Sequence, residues 1–430
     1  MTQQFYIWTV GCQMNKADSE RMGAALEQLG LTETTEAKQA DVIVLNSCVV
    51  RQKAEDRVVG MLTSLKPWKA RNPDKTLALM GCMVGPRQEE LKRQFPYVDV
   101  FMRPQQFDPL VSRLGEQLGV DGCIGPLVPG HPQVTTHVPI IHGCDKFCTF
   151  CIIPYRRGRE VSRSVDELVQ ECQMLVQRGV REVTLLGQNV DSYGHDLPGS
   201  PDLADLLEAV NARVPELARI RFLTSHPNDM GQRIIDAIGR LPRVMENINL
   251  PFQAGDDTVL ANMRRGYTNA QYRALVGRIR ATIPGVAMTT DLIVGFPGET
   301  AEQFKRSLEM VRDLRFDKVH VAAYSTRPGT VAARRMQDDV PHEEKQRRLQ
   351  AIEALQETIA AETNSTYLGT RQEVLVDRHH KGKWQGRTRT DKLAFIESDE
   401  ALLGRVVNVR VTMTSPWSLQ GRLLPATVPV

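Results

Sequence analysis

Short apolar runs of strand length recur along the first hundred residues, at Phe5–Val10, Val42–Asn46 and Thr76–Met80. After each, apolar positions return every three or four residues, as in Met22, Leu26 and Leu29 or Val58, Leu62 and Leu65, which is the spacing of an amphipathic helix. Strands separated by helices need crossovers, and these are right-handed and give a parallel sheet. Residues 1–119 are therefore expected to form a doubly wound α/β domain. Residues 120–136 break the pattern with Gly122, Gly125, Pro126, Pro129, Gly130 and Pro132, the chemistry of a linker. A second alternating series follows, with strands expected at Val138–His142, Glu182–Leu186, Ile220–Thr224, Asn247–Leu250, Ala287–Val294 and Lys318–Tyr324. Six βα repeats predict a partial barrel whose chemistry gathers at the carboxyl ends of its strands. Pro341 opens a charged helix with a narrow stripe at Leu349, Ile352, Leu355 and Ile359, read as a connector that closes a core domain spanning 137–364. Over 365–430 the helical period disappears and short Val-rich runs, Glu373–Val376 and Val406–Val411, predict a small β-barrel.

The 430 residues are 41% hydrophobic and 24% charged, an ordinary globular balance that excludes a peptide, a fibre and a disordered chain. No run approaches the ~18 apolar residues a membrane helix needs. The short apolar run of the first ten residues has no basic segment ahead of it, so no secretory signal is expected and the cytoplasm is. A net charge of +3 does not by itself indicate a nucleic-acid partner. Eight cysteines change the picture, because in a reducing compartment they point to metal binding or catalysis more than to disulfides.

Cys144, Cys148 and Cys151 form CxxxCxxC directly after the first strand of the second series. Three thiolates in one short loop cap three irons of a 4Fe-4S cubane and leave the fourth open to substrate or cofactor. The competing reading is a zinc knuckle with His142 as fourth ligand, although no second CxxC follows. Cys12, Cys48 and Cys82 each sit just past an expected strand end. In a parallel sheet those ends share one edge, so the three thiols converge where such folds bind ligands, and a second three-thiolate cluster is expected there. The bland alternative is three small buried hydrophobes. Cys123 and Cys172 lack partner spacing and read as structural.

At these residues the chain resembles a known family. CxxxCxxC resembles the signature of radical S-adenosylmethionine enzymes, and with Gly11-Cys-Gln-Met-Asn and the β-rich tail the whole order resembles the methylthiotransferases. Leu185-Leu-Gly-Gln-Asn-Val, Thr224-Ser-His-Pro and Asp291-Leu-Ile-Val-Gly-Phe-Pro-Gly-Glu-Thr are most similar to the tRNA branch, which adds a methylthio group to carbon two of isopentenyl-adenosine beside the anticodon. Sister branches act on threonylcarbamoyl-adenosine in tRNA or on an aspartate of a ribosomal protein. The resemblance implies that Cys144, Cys148 and Cys151 hold the cluster that chelates and cleaves S-adenosylmethionine, and that Cys12, Cys48 and Cys82 hold an auxiliary 4Fe-4S cluster that binds the sulfur to be inserted. It implies two S-adenosylmethionine molecules per product, an electron donor such as flavodoxin or ferredoxin, a sulfur source, and a monomer. Phe150 stands where the family often has Tyr, and Asn249 and Ala254 where it often has His and Ser. Phe150, Gln188, Ser225, Gln253, Arg264 and Asp291 are the candidates for the S-adenosylmethionine or substrate pocket, as polar or aromatic groups near expected strand ends.

From 365 to 430 ten basic residues face six acidic ones, a local +4 that leaves the rest of the chain at −1. Lys381, Lys383, Trp384, Arg387, Arg389 and Lys392 cluster there, a pattern suited to phosphates and stacked bases, or alternatively to a solvated hairpin. The segment resembles the RNA-binding TRAM barrel, including Gly386-Arg-Thr, which implies the tRNA anticodon stem-loop as partner. A different class of reading is a non-enzymatic, metal-stabilised RNA-binding protein.

Overall fold

The structure, a computed structural model, describes residues 3–49, 52–86, 88–120 and 124–425. Cys123 lies outside the described residues. The chain forms two compact units, Met1–Pro132 with His137–Phe147 and Cys151–Val161, and Gln133–Thr136 with Cys148–Phe150 and Ser162–Val430.

The first unit runs β1 (Gln4–Thr9), α1 (Gln13–Gln28), β2 (Thr32–Glu33), β3 (Val42–Ser47), α2 (Gln52–Arg71), β4 (Thr76–Gly81), α3 (Glu89–Gln94), β5 (Val100–Met102) and α4 (Asp108–Leu118). Its parallel sheet has the order β2-β1-β3-β4-β5. β3 and β4 are buried on both faces, and side chains alternate across the pleat. Ile43, Leu45, Leu77 and Leu79 meet Val58, Leu62, Leu65 and Trp68 of α2 on one face. Val42, Val44, Ala78 and Met80 meet Met22, Ala25 and Leu26 of α1 and Leu110, Val111 and Leu114 of α4 on the other. The sheet is thus doubly wound, as expected. The sequence reading omits β2 and β5, whose two and three residues are too short for a period to register. Part of the expected linker is not loose: Gln28 bonds the Gly125 amide and the Pro126 carbonyl, while Ile124 and Leu127 pack on the core.

Four short elements follow, β6 (Thr135–Pro139), β7 (Ile141–His142), α5 (Ile153–Arg157) and β8 (Val161–Ser162). The second unit continues with α6 (Val165–Gln177), β9 (Glu182–Leu186), α7 (Leu203–Arg213), β10 (Arg219–Leu223), α8 (Gln232–Arg240), β11 (Asn247–Asn249), α9 (Asp257–Asn262), α10 (Asn269–Thr282), β12 (Ala287–Val294), α11 (Ala301–Leu314) and β13 (Lys318–Ala323). Strands β10-β9-β6 and β11-β12-β13 make two sheets of the partial barrel, and an isolated parallel bridge pairs Ile220 of β10 with Val244, just ahead of β11. Helix starts are written into the sequence: Asp202 with Asp205, Thr268 with Gln271 and Thr300 with Gln303 form reciprocal caps. α12 (Val331–Arg335) and the long α13 (His342–Ser365) come next. The buried line of α13 is Lys345, Arg348, Ile352, Gln356 and Ile359, whereas Leu349 and Leu355 are only half-buried. The two cations go inside because acids meet them there, Arg348 at 2.8 Å from Glu299 and Lys345 against Asp338.

The tail is a closed five-stranded barrel of order β14 (Arg371–His380), β15 (Lys383–Thr388), β16 (Leu393–Glu397), β18 (Leu419–Leu423) and β17 (Val406–Thr414). Its core is Val374, Val376, Ala394, Ile396, Leu402, Val407 and Val409. Arg219 and Arg221, two apart on β10 and so on one face, fasten this barrel to the sheet. Fully buried Arg219 donates to the Arg387 carbonyl at 2.6 Å, the Glu373 carbonyl at 3.3 Å and the Glu373 carboxylate at 2.9 Å. Arg221 reaches the carbonyls of Thr388 and Arg389 at 2.7 and 3.0 Å and pairs with Glu182. Arg389 pairs with Glu246 at 2.6 Å, and Lys392 with Asp317 at 2.6 Å. Glu182, Arg219, Glu246 and Asp317 all stand at the amino ends of their strands, so the β-barrel occupies the edge opposite the carboxyl ends.

Arg219→Met leaves these carbonyl acceptors unmade, at about 1–3 kcal/mol each where they are buried. We expect a lower melting temperature and faster trypsin cleavage between α13 and β14, while exposed Arg233→Met leaves the cleavage rate unchanged; thermal unfolding and limited proteolysis measure both.

Candidate iron-sulfur and cofactor site

Three strand ends of the first unit carry cysteines. Cys12 follows β1 and begins α1 with extended backbone and no side-chain cap bond, whereas Cys48 follows β3 and Cys82 follows β4. The order β2-β1-β3 reverses between β1 and β3, the crevice where open α/β sheets take ligands. Glycine precedes two of these cysteines for a steric reason. A Cβ on Gly11 would stand 2.6 Å from the Cys48 Cβ, and one on Gly81, at φ +97°, would stand 2.4 Å from the Ser47 carbonyl. The three chain segments therefore close in more tightly than side chains permit.

Polar groups lock this corner. Asn15 donates to the carbonyls of Val10 and Ser47 at 3.1 and 2.8 Å, and Asn46 returns a bond to the Asn15 carbonyl at 2.7 Å. Ser47 Oγ donates to the Met80 carbonyl and accepts from the Met83 amide. Arg157, six residues after Cys151, belongs to this same unit. Its Nη2 donates to Asn15 at 3.2 Å and to Asp18 at 3.1 Å, both side chains of the ion pair being within 2% of full burial. Burial pushes the Cys82 thiol up to about 11, with Arg157 pulling it down and Cys48 and Cys12 pushing it further up. Those opposing influences place the guanidinium and the three sulfurs in one electrostatic neighbourhood. Arg157 Nη1 is buried without a hydrogen-bond acceptor among the described residues. An anionic group held by the three thiolates would supply one, so the donor set fits a thiolate-bound cluster.

The second set lies on one loop, within eight residues of chain. Cys144 and Cys151 are half-buried and Cys148 is buried. Thr149 pins the loop, with its amide on the Met263 carbonyl at 3.1 Å, its hydroxyl on the Asn262 carbonyl at 2.8 Å and its carbonyl accepting from the Ala332 amide at 2.8 Å. Arg265 Nη1 donates to the Cys148 sulfur at 3.2 Å. A donor aimed at sulfur is what a metal-bound thiolate accepts, and it is the sign that this loop fits a cluster.

The six pocket candidates fare unequally. Phe150 is half-buried beside the cysteines. Gln188 stands past β9 with its Oε1 buried and unbonded among the described residues, open to a ligand's donor. Ser225, past β10, commits its hydroxyl to Asp191 at 2.9 Å, so it braces a loop. Asp291 accepts from Asn249 Nδ2 at 3.2 Å, so Asn249 occupies a polar position where His was the family expectation. Gln253 has φ +63° and bridges to Leu292. Arg264, also left-handed at φ +58°, is exposed, and the buried arginine is its neighbour Arg265. Gln253 and Thr224, the latter at φ +77°, carry strained backbone past the ends of β11 and β10, as at functional sites. Sequence reasoning missed Arg157, Arg265, Asn15, Asp18 and Asp191. The available signal was the adjacency of Arg157 to the cysteine loop, which composition reads as a solvated charge. Cys172 is fully buried on α6, its thiol pushed up to about 12 by burial.

In the tail, Lys381 turns the β14–β15 hairpin at φ +51°, exposed with Arg378, His379 and His380. Lys383 pairs with Glu397 at 2.7 Å, and Arg387 donates to the Asp391 carbonyl. Trp384 packs on the barrel core with its ring 4.6 Å from that of His379. Arg389 and Lys392 are held in the ion pairs that fasten the barrel, so their charges are already matched.

Comparison with known proteins adds the following. Residues 4–103 match the uncharacterized protein family UPF0004, 138–311 the radical SAM superfamily and 365–424 the TRAM domain. The chain is 51% identical to a tRNA-2-methylthio-N(6)-dimethylallyladenosine synthase of Dehalococcoides mccartyi over 98% of both chains. It is 50% identical to the protein of that name from Herpetosiphon aurantiacus over 99% of both, and 42% identical to that from Dictyoglomus thermophilum over 98% of both. A radical S-adenosylmethionine methyltransferase, TsrM, from Kitasatospora setae shares the fold, with a TM-score of 0.58 at 13% identity, covering 77% of this chain and 74% of its own.

Arg157→Met leaves the Asp18 carboxylate buried and unpaired, and the loss expected in urea unfolding is about 3–5 kcal/mol. Arg157→Met with Asp18→Asn recovers much of it, because the stranded charge is gone.

Proposed function

The chain belongs to the family of tRNA-2-methylthio-N(6)-dimethylallyladenosine synthases, and from that premise we propose that it adds a methylthio group to carbon two of isopentenyl-adenosine beside a tRNA anticodon by radical S-adenosylmethionine chemistry. One observation carries this reading furthest: a single chain holds two separate sets of three cysteines, each with a buried guanidinium among its electrostatic partners. A carbon-hydrogen bond of adenine yields to no side-chain acid or base at neutral pH, so the difficult step belongs to cofactors. Cys144, Cys148 and Cys151 would hold a 4Fe-4S cluster, which when bound would supply the electron for cleaving S-adenosylmethionine, and Cys12, Cys48 and Cys82 would hold a second that would supply a site for the sulfur.

The protein's own residues then bind and orient. Gln188, Gln253, Asp291 and Phe150 are the groups we assign to S-adenosylmethionine and the adenine, with Ser225 bracing Asp191 behind them. Cys12, the exposed member of its trio, faces the approach of sulfur. Arg378, His379, His380 and Lys381 at the hairpin tip meet backbone phosphates, with Lys383, Trp384 and Arg387 behind them. Arg389 and Lys392 instead hold the barrel in place. A one-electron donor such as flavodoxin or ferredoxin, a sulfur source, the cytoplasm and a monomeric state complete the reading. No helix among the described residues is long and apolar enough to cross a membrane.

After anaerobic reconstitution we expect about eight irons per chain, from two cubanes; about four, or zinc, sinks the two-cluster reading. Mass spectrometry of tRNA nucleosides from a deletion strain should show loss of methylthio-isopentenyl-adenosine, whereas loss of the methylthio-threonylcarbamoyl nucleoside would move the chain to the sister branch. Cys148→Ala is expected to stop S-adenosylmethionine cleavage and keep tRNA binding.

Lys381→Ala should weaken tRNA binding and lower the slope of log K against log salt by roughly one or less. Arg389→Ala should lower the melting temperature with little change in that slope.

A further inference from the structure

Arg265 is 5% exposed, on the short turn after α9. Its Nε donates to Tyr267 Oη at 3.1 Å, its Nη2 to the Pro251 carbonyl at 3.2 Å and its Nη1 to the Cys148 sulfur at 3.2 Å. Tyr267 is itself fixed, its hydroxyl on the Phe252 carbonyl at 2.9 Å, and the guanidinium lies 5.4 Å from the centre of its ring. Each edge of the guanidinium fork is thus held, so its place is determined by packing and not by a mobile side chain. No carboxylate among the described residues pairs with it. Four other buried guanidiniums differ, each facing a carboxylate: Arg157 has Asp18, Arg219 has Glu373, Arg221 has Glu182 and Arg348 has Glu299.

An uncompensated buried cation costs several kcal/mol, so a fold that keeps one supplies a negative partner. The group beside it able to carry that charge at neutral pH is the Cys148 sulfur as a metal-bound thiolate, since metal binding removes the thiol proton. We propose that Arg265 is the counter-ion of the radical S-adenosylmethionine cluster at its Cys148 corner, a positioning residue that raises the cluster's reduction potential. Hydrogen bonds to sulfur and nearby charge are the protein's means of setting such potentials. A cation favours the reduced cluster, which carries one more negative charge, and so eases delivery of the electron by a one-electron donor. The neighbouring exposed Arg264 has no such part. This inference rests on the cluster-binding role assigned above to Cys144, Cys148 and Cys151, and is independent of the second cluster.

The test uses the full chain with Cys12, Cys48 and Cys82 changed to Ala, so that one cluster remains, and follows its reduction by electron paramagnetic resonance against applied potential. Arg265→Met should disfavour reduction at least tenfold, a fall of about 59 mV for one electron. Arg265→Lys, which keeps the charge, should shift the equilibrium less than threefold. A loaded Arg265→Met cluster at the parent potential overturns the inference, and so does a lysine variant that falls as far as the methionine one. Should Arg265→Met take up no iron, the lysine variant decides: parental iron and potential uphold the inference, and loss of either overturns it. A parent that itself takes up no iron defeats instead the cluster reading on which this rests.

Discussion

Positive charge buried beside sulfur is the constraint from which the rest of the site follows. A guanidinium out of water calls for negative charge nearby, and Arg157 and Arg265 each have a cysteine sulfur among their neighbours. Around Arg157 the packing is built to make this possible: glycines before Cys12 and Cys82, Asn15 and Asn46 tying the strand ends, and Asp18 balancing the ion. Around Arg265 no carboxylate among the described residues balances the ion, and the sulfur of Cys148 is its neighbour instead.

The partial barrel separates its tasks by strand polarity. Amino ends carry Glu182, Arg219, Glu246 and Asp317, all engaged with the β-barrel of the tail. Carboxyl ends carry Gln188, Ser225 and Gln253, with left-handed backbone at Thr224 and Gln253. The fastening side is dense with ion pairs and carbonyl bonds, while the opposite side carries Gln188 Oε1, buried and unbonded among the described residues.

Much of this was legible in the sequence. The parallel strands have apolar runs long enough to register, and three cysteines one to three residues past β1, β3 and β4 are brought to one sheet edge by the topology. What escaped was whether a given charge points in or out. Arg264 and Arg265 are chemically identical neighbours, and only the left-handed turn at Arg264 sends one to solvent and the next inward. The acid that pairs with Arg389, Glu246, lies 143 residues away, so the sequence shows only the cation. On α13 the apolar stripe was a fair guide only until Lys345 and Arg348 took buried places opposite Asp338 and Glu299. Such long-range pairing leaves no local trace.

The pair Arg157–Asp18 has a further consequence for modularity. The loop end that carries Cys151 travels with the amino-terminal sheet, since Cys151–Val161 belongs to that compact unit. A chimera cut in the linker near residue 130 would part Arg157 from Asp18 although both halves looked whole in sequence. Exchange between relatives therefore has to keep both long-range pairings, Arg157 with Asp18 and Arg265 with Cys148, and no single cut near the linker keeps the first.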